Sequence, residues 1–394
     1  MKTHATRFLS FQPISIYHLI IFFVAASIST TAINNVTAQD SIGDAITAIR
    51  AVEVGGKNQE SAAKAMKVLN AASPDKIPAI LDGMGGANQL ALNWFKGAVE
   101  SIIRNGDDLP RDQIKSYFED KSKGAMGRLL AYELLTKDNP SLADKIIPTL
   151  TDDPSMPLRA IGIASEIEKA KSAEPADAVR ILAVAFTQVR DVQQVETIAD
   201  MLAEHGMMVN TQKQLGFINR WHIVGCFDNK DEKGFSVAHG PEKDPSSIDV
   251  EKNTFKDAEG NEVKWAVAET AERSGVINIV DVLGPIKGVT AYAVANFTAT
   301  DDMEVDIRFG SSNAHKVWVN GELSVTNEIY HNGGTSTDKF SGRAKLKKGK
   351  NQILLKICQN EQTQSWAQSW DYQLRICDQD GLAIQPAAPP KANY

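Results

Sequence analysis

Apolar and polar positions alternate with a period of two through much of the second half of the chain. Residues 303–309 alternate four apolar side chains with Glu, Asp and Arg, and similar runs follow at 353–357 and 370–376. This pattern is typical of strands with one buried face and one solvated face. Between them, Asn320-Gly321 follows an apolar run and predicts a type I′ hairpin turn, because both turn positions need a positive φ. The pattern predicts four such strands in one sheet.

The apolar spacing becomes helical between Asp44 and Met208, where Ala, Leu, Ile, Lys and Glu are frequent and short breaks contain Pro, Gly or Asp. Ten candidate helices run near residues 42–54, 59–71, 75–83, 88–104, 110–120, 124–137, 140–151, 156–171, 175–188 and 191–206. The short connections between them indicate five antiparallel helix pairs.

The helical half also contains a weak internal similarity. In residues 150–162 a Leu-x-Asp precedes a turn, and Arg159 follows on the next helix with a small residue three positions later. Arg128 begins a comparable segment, and Asn93 occupies a similar place. Such spacing is typical of helical solenoids, and this half resembles HEAT-like repeats. We expect a scaffold in which Asp152 caps a helix, Arg159 pairs with acidic groups, and a concave face is available to a protein partner.

The start of the chain has the features of a secretory signal peptide. Lys2 and Arg7 precede an apolar run at 19–26, and small residues at 36 and 38 fit a signal-peptidase site. We therefore expect residues 1–38 to be removed and the mature protein to be secreted or periplasmic. The alternative is an uncleaved membrane anchor, although the run is shorter than the roughly 20 residues that span a bilayer. No later stretch of the sequence is long and apolar enough to span a membrane.

The charge of the chain bears on its partners. Removal of the signal segment would change the formal net charge from −7 to −9, because the segment contains two basic residues and no acidic ones. This balance argues against a nucleic-acid partner, which is bound through clustered Lys and Arg. The four lysines around Gly349 are interpreted as solvated turn charge.

The length of the chain predicts two domains after the signal peptide. Residues 39–208 form the helical repeat domain, residues 209–214 a polar linker, and residues 215–382 a domain with about eight or nine short strand patterns, typical of a sandwich or barrel. Residues 383–394 contain three prolines among alanines and are expected to be a disordered tail.

Four segments of the second half carry a family resemblance: Trp-His-Ile-Val-Gly-Cys-Phe at 221–227, Ser-Ser-Asn-Ala-His-Lys-Val-Trp-Val-Asn-Gly-Glu-Leu at 311–323, Leu-Lys-Lys-Gly-Lys-Asn-Gln-Ile-Leu-Leu-Lys-Ile at 346–357 and Trp-Asp-Tyr-Gln-Leu-Arg-Ile at 370–376. They resemble the galactose-binding-like jelly roll, found as the sugar-binding module of glycoside hydrolases and as stand-alone carbohydrate-binding modules. The expected fold class is therefore multidomain α plus β, with an N-terminal α-solenoid of about five helix pairs and a C-terminal antiparallel β-sandwich of jelly-roll type.

The resemblance directs attention to exposed aromatic side chains in loops. Aromatic rings stack on the apolar faces of sugars, and polar side chains bond their hydroxyl groups. Trp366 lies outside the alternation that buries Trp370, so it is the aromatic residue expected to be exposed. Tyr330, His331 and Asn332 follow the hairpin and complete the candidate ligand-binding set. Alternatively, Trp366 only covers the open end of the sandwich.

A possible metal site follows the first strand of this domain. Asp228, Asn229, Asp231 and Glu232 supply oxygen ligands of the kind that calcium takes. The resemblance implies that a structural calcium could lie there, although the spacing is not that of an EF-hand loop. The alternative is a solvated acidic loop.

The chain has three cysteines, Cys226, Cys358 and Cys377. An odd number leaves at least one thiol unpaired in an exported monomer. If 353–358 and 370–377 formed one hairpin, the last two cysteines would lie too far apart to bridge. Free buried thiols are therefore expected.

The sequence shows no catalytic motif. Gly-x-Ser-x-Gly, His-Glu-x-x-His and a phosphate-binding glycine loop do not occur, and the seven histidines are scattered singly. We expect an exported non-catalytic protein whose sandwich binds a glycan or another cell-surface ligand and whose solenoid binds a protein partner. Two alternatives stay open: a structural scaffold without a ligand site, and an accessory component of a polysaccharide-degrading enzyme system.

Overall fold

The computed structural model describes residues 42–104, 108–379 and 381–387 of the 394-residue chain. The predicted signal peptide, residues 1–38, lies outside the described residues. Within the described ranges, no helix combines the length and the apolar character needed to cross a membrane.

The chain divides into two compact units, Met1–Leu142 and Ala143–Tyr394, and each is described by itself. The second unit holds helices as well as all the described strands. The linker predicted at 209–214 falls inside this second unit, and its role as a domain boundary stays a prediction.

The first unit is helical. Its described helices are α1 (42–50), α2 (Gln59–Asn70), α3 (Ile77–Gly83), α4 (Gln89–Arg104), α5 (Arg111–Glu119) and α6 (Ala125–Asp138). In α4, Leu92, Phe95, Val99 and Ile102 recur three or four positions apart and are all buried. This spacing places them on one face, which explains why the segment forms a helix that packs on its neighbours.

The second unit begins with further helices. They are α7 (Ser141–Ile146), which contains the division point, α8 (Met156–Lys171), α9 (Pro175–Gln188), α10 (Val192–Glu204) and α11 (Thr211–Leu215), with α12 (Val280–Leu283) later in the chain. The ten predicted helices are confirmed as α1 to α10, although α1 and α7 end several residues early. The sequence analysis missed α11 and α12.

The helix α11 occupies most of the predicted linker. Asn210 precedes it, and its side chain accepts a hydrogen bond from the Lys213 backbone nitrogen, which is the role of an N-cap. Leu215 at its end is buried in the same apolar cluster as Leu202. A helix with one strongly apolar residue has too short a pattern for periodicity to reveal it.

The two arginines singled out in the helical half bind backbone oxygens. Arg159 donates to the carbonyl oxygens of Asp152 (2.6 Å), Asp153 (2.6 Å) and Gln188 (2.9 Å), and Arg128 donates to that of Phe118 at 2.9 Å. The expectation that Arg159 pairs with acidic side chains is therefore corrected. The guanidinium satisfies carbonyl groups that helix ends and turns leave without partners.

The strands of the second unit form antiparallel sheets. They are β1 (Arg220–Asp228), β2 (Thr254–Lys256), β3 (Glu262–Lys264), β4 (Ala266–Glu269), β5 (Ile277–Asn278), β6 (Val289–Ala299), β7 (Met303–Gly310), β8 (Ala314–Val319), β9 (Glu322–Asn327), β10 (Phe340–Leu346), β11 (Gly349–Gln359) and β12 (Asp371–Cys377). One sheet has the order β4-β1-β6-β11-β8-β9, the second β10-β7-β12-β5, and β2 pairs with β3.

The predicted single sheet is wrong, because β11 and β12 belong to different sheets. β11 pairs with β6 and β8, whereas β12 pairs with β7 and β5. Ile353 and Leu355 of β11 share one buried cluster with Phe309 of β7 and with Tyr372 and Leu374 of β12. The chain therefore crosses between sheets after β11, and side chains from both sheets bury each other's apolar surface.

Tryptophans within strand patterns are core residues, as expected. Trp221 and Trp370 are fully buried, Trp318 is buried and Trp265 is half-buried. Trp221 meets Tyr372 edge-to-face, with ring centroids 5.4 Å apart, a favoured aromatic geometry.

The Asn-Gly hairpin is confirmed. Asn320 and Gly321 join β8 to β9, with φ values of 52° and 85°. The Asn320 side chain holds the turn by donating to Asn351 Oδ1 at 2.8 Å and accepting from the Gln352 backbone nitrogen at 3.0 Å. A type I′ turn accounts for this geometry.

Substitution of Gly321 by alanine is expected to lower the free energy of unfolding by about 1–2 kcal/mol, because a Cβ disfavours positive φ. The new Cβ would also lie 3.2 Å from the Ser246 side chain. Urea unfolding monitored by tryptophan fluorescence measures the effect. Gly334→Ala is the control, since Gly334 has open space around it and no positive φ. Equal losses in the two variants would contradict the assignment.

The face of the six-stranded sheet that points away from the four-stranded sheet is also covered. Val294 and Leu354 of this face pack with Ile248, Phe255 and Trp265, which belong to the segment after β1. This segment explains why β11 is buried on both faces. A strand buried on both sides has no polar face to reveal its place in the sheet.

A buried ion pair lies beneath this covering segment. Lys356 of β11 has a fully buried side chain and donates to Glu242 at 2.7 Å, as well as to the carbonyl oxygens of Phe235 (2.9 Å) and Val237 (2.8 Å). Glu242 also accepts from the Tyr292 hydroxyl at 2.7 Å. Burial lowers the pKa of Lys356, and Glu242 opposes that shift. The ammonium group thus ties the covering segment to the sheet.

Part of the predicted disordered tail is hydrogen-bonded. Ile384 donates to Ile376 at 3.0 Å, and Ala387 donates to Thr298 at 2.7 Å, both through backbone nitrogens. These bonds satisfy carbonyl groups of two strands, which composition alone does not reveal. Residues 388–394 of the predicted tail lie outside the described residues.

The three cysteines are free. Cys358 lies on β11 and Cys377 on β12, and both are buried, whereas Cys226 is half-buried. Burial raises the pKa of each thiol to about 11. The thiols are therefore protonated and unreactive in the folded protein at neutral pH.

Candidate functional site

Several loops meet at one end of the six-stranded sheet. β1, β9 and β11 all finish there, and residues 229–235, 328–338 and 360–370 follow them. The Asn229 side chain joins two of these loops to the sheet, donating to the Gln359 carbonyl oxygen at 3.0 Å and the Tyr330 hydroxyl at 3.2 Å. We call these three loop segments the loop edge.

Trp366 is the exposed aromatic residue of the loop edge. Its relative exposure is 61%. It lies on a short 3₁₀ turn, Ser365–Ala367, whose Ala367 is fully buried. Lys287 donates to the Ala367 carbonyl oxygen at 2.6 Å and so fixes the turn. The predicted exposure of Trp366 is confirmed.

His331 lies against Trp366. The two rings meet edge-to-face at 85°, with centroids 5.4 Å apart. Nε2 of His331 donates to Asn360 Oδ1 at 2.7 Å, since an amide oxygen can only accept. Asn360 donates in turn to Glu232 Oε1 at 3.0 Å and Gln362 Oε1 at 3.2 Å. This chain of bonds orients the aromatic pair.

The other two predicted ligand residues have supporting contacts. Tyr330 packs against Phe235 and Cys358, its hydroxyl bonds to Asn229, and burial raises its pKa. Asn332 bonds through its backbone, donating to Ser312 at 2.9 Å and accepting from Lys339. The structure therefore brings Trp366 and His331 together, and Tyr330 holds the loop from below.

Sequence analysis missed Asn360, which is buried at the centre of this network. Asn360 could have been found from its position directly after β11, because backbone groups need new hydrogen-bond partners where a chain leaves a sheet. Asn360 uses both ends of its side-chain amide, and its backbone carbonyl oxygen accepts a hydrogen bond from the Gly288 backbone nitrogen at 3.0 Å. It is a positioning residue for His331.

The four predicted calcium ligands have separate partners. Asp228 accepts from the Lys230 backbone at 3.1 Å, Asp231 pairs with Lys233 at 2.9 Å, and Glu232 accepts from Asn360. Across the described ranges, no three His, Cys, Asp or Glu side chains are grouped so that they could hold a metal ion. Calcium takes six to eight converging oxygens, and calcium binding at these residues stays a prediction.

A groove of about 800 Å³ lies in the first unit. Its acidic side chains include Asp75 and Asp82, which pair with Lys76 (2.7 Å) and Lys123 (3.1 Å). The lining holds four carboxylates and two lysines, and its one aromatic residue, Tyr117, is buried. The loop edge, with an exposed ring beside polar groups already held in place, is the better candidate site.

Comparisons with known proteins found similarity only to solved structures, and only over parts of the chain. No protein-family model matches the sequence, and no curated protein matches it significantly. Solved structures similar to parts of the chain include a carbohydrate-binding module and two glycosidases.

The first is a family 35 carbohydrate-binding module from an environmental isolate, 23% identical over 25% of this chain and 72% of that chain, with a TM-score of 0.18. The second is a β-glucosidase from Kluyveromyces marxianus, 11% identical over 43% of this chain and 19% of that chain, with a TM-score of 0.24. The third is a β-glucuronidase from an uncultured Clostridium, 12% identical over 41% and 29%, with a TM-score of 0.22.

Proposed function

We propose that this chain is a non-catalytic, exported binding protein that holds a glycan at the loop edge. The two packed sheets of the second unit form a β-sandwich of jelly-roll type, which serves as the rigid frame. The observation that carries the proposal is the exposed Trp366 ring, fixed by its buried turn and by His331.

The arrangement suits a sugar ring. A pyranose offers an apolar face to an aromatic ring and hydroxyl groups at its rim. His331 contacts the Trp366 ring on one side. The rest of the Trp366 side chain is largely exposed and stays accessible to a ligand. Gln362 and Asn332 stand in the flanking loops as hydrogen-bonding groups. Pre-ordered loops reduce the entropy that binding must overcome.

The helical part completes the proposed function. We propose that helices α1 to α10 form a HEAT-like solenoid that binds a protein partner. The support is the run of ten helices with short connections and the arginines that satisfy turn carbonyls in two of them. Secretion rests on the signal-peptide pattern at residues 1–38.

Trp366→Ala is expected to weaken glycan binding about tenfold or more, which is the loss of roughly 1.4 kcal/mol of stacking. Affinity electrophoresis of the full mature chain through gels containing a panel of neutral and acidic polysaccharides measures the change. Trp366→Phe should retain more of the binding, because it keeps an aromatic face.

Leu323→Ala is the matched control. Leu323 is also an exposed apolar residue, at 53%, but it begins β9 at the hairpin end of the sheet, away from the loop edge. Unchanged binding in Trp366→Ala, or equal losses in Trp366→Ala and Leu323→Ala, would exclude Trp366 as the contact residue.

A further inference from the structure

We propose that the loop edge selects neutral glycans over acidic ones, and that Glu232 is the residue that determines this selection. The inference rests on the proposed function and names the class of sugar that the same site accepts. It follows from how the charged groups around His331 and Trp366 are engaged.

The nearby lysines are held by protein oxygens. Lys339 donates to the carbonyl oxygens of Asn332 and Gly334, and Lys287 donates to that of Ala367. Burial lowers the pKa of both lysines. Lysines that serve as internal ties have part of their hydrogen-bonding capacity occupied before a ligand arrives.

The remaining lysines of the loop edge lie beside Asp231. Lys233 forms an ion pair with this carboxylate at 2.9 Å, and Lys230 also helps to lower the Asp231 pKa. Asp228, directly before this loop, adds a second negative charge that also acts on Lys233, so two carboxylates balance the two lysines. An anionic sugar at Trp366 would have to compete for these lysines with the Asp231 carboxylate, which belongs to the same loop as the lysines.

Three carboxylates of the loop edge, Glu232, Glu328 and Glu361, lack an ion pair of this kind among the described residues. Glu232 accepts from Asn360 and Glu361 accepts from the Asp231 backbone nitrogen at 2.7 Å. Among the described residues, neither takes part in an ion pair within 4.0 Å. Glu232 is joined to His331 through Asn360 alone, so its negative charge lies close to the aromatic pair.

The consequence for recognition is electrostatic. A carboxylate oxygen accepts hydrogen bonds from sugar hydroxyl groups, which favours a neutral glycan. A uronate or sulfate group at the same place would face a like charge, and like charges across a binding site disfavour association. Because the loop edge is solvated, this discrimination should weaken as salt is raised.

The test compares one polymer in two charge states. Polygalacturonate and its carboxyl-reduced form share a backbone and differ in the acidic group. The full mature chain is expected to bind the reduced form at least about fivefold more tightly at low ionic strength, with a smaller ratio at 0.5 M salt. If the reduced form is not a ligand, the same pairwise comparison applies to any uronate polymer found in the panel above.

Glu232→Gln is the decisive variant, because it keeps an oxygen for Asn360 and removes the charge. It should gain affinity for the uronate form by about threefold to tenfold while its affinity for the neutral form changes little. Glu304→Gln is the control, since Glu304 is an exposed carboxylate near the start of β7, at the far end of the fold, and changes the net charge equally.

The outcomes separate the two proposals. The unaltered chain would bind the uronate form more strongly if Lys339 or Lys230 determined the local electrostatic potential. That result would overturn the selection for neutral glycans and leave the proposal of glycan binding intact. The same gain in Glu304→Gln as in Glu232→Gln would overturn the role of Glu232. Failure of the unaltered chain to bind any polysaccharide of the panel would overturn the proposed function itself, and this inference with it.

Discussion

Replacement of Glu242 by alanine is expected to lower the free energy of unfolding of the second unit by about 3–5 kcal/mol. Lys356 is fully buried, and Glu242 is the carboxylate that balances its charge. Without Glu242, the ammonium group would keep only the carbonyl oxygens of Phe235 and Val237. An uncompensated charge in the interior is costly because the protein cannot replace its lost hydration.

The double variant Glu242→Leu/Lys356→Met provides the control. It removes both charges of the pair and fills the space with apolar atoms. Lys316, which lies 3.6 Å from Glu242, keeps its contact with the Phe235 ring, so the free energy of unfolding of the double variant should return to within about 2 kcal/mol of the original protein. Urea unfolding of the single and double variants gives the coupling energy directly. A double variant as unstable as Glu242→Ala would show that the covering segment depends on packing rather than on the buried charge.

The stability of the second unit is expected to fall by about 3 kcal/mol between pH 6.5 and pH 4 through His315 alone. This side chain is fully buried between Phe309 and Phe340, with ring centroids 4.5 Å away on each side. Nδ1 donates to the Asn313 carbonyl oxygen at 2.8 Å, and Nε2 has no hydrogen-bond partner among the residues that the structure describes.

Burial lowers the pKa of His315 from its ordinary 6.5 to about 4. Between these values the unfolded chain binds a proton that the folded protein does not, so acidification favours unfolding; above pH 6.5 both states are neutral and the contribution is constant. His315→Leu should be less sensitive to pH over this interval, whatever its stability at pH 7. Equal pH dependence in the two proteins, measured by urea unfolding at pH 7, 6, 5 and 4, would contradict the assignment.

The sequence predicted local structure well where one residue pattern dominates. The helix α4 has a continuous apolar face, and Asn320-Gly321 has few conformations available besides a tight turn, so both were foreseeable. In each case the determining interactions lie within a few residues of the chain.

Strand pairing and the burial of charge were not predictable in this way. β11 is buried on both faces, so alternation could not show which strands flank it, and the prediction that β11 and β12 share one sheet was wrong. Lys356 in the middle of that strand was unexpected, because its partner Glu242 lies in a distant covering segment. These features depend on long-range contacts, which periodicity does not encode.

The candidate site was predictable in part. Trp366 lies outside the alternation that buries Trp370, so its exposure could be inferred. Tyr330 is also an aromatic residue in a loop, but its side chain turns inward, because Asn229 supplies a partner for its hydroxyl group. The importance of Asn360 and Glu232 depends on the meeting of two loops, and no local pattern indicates it.

The free thiols of Cys358 and Cys377 report when the two sheets open. Cys358 belongs to the six-stranded sheet and Cys377 to the four-stranded sheet, and each is fully buried. A thiol reagent reacts with thiolate that solvent can reach, so labelling of each cysteine must wait for its own sheet to separate. The two labelling rates would tell whether the sheets open together as one cooperative body or one before the other, with no engineered probe.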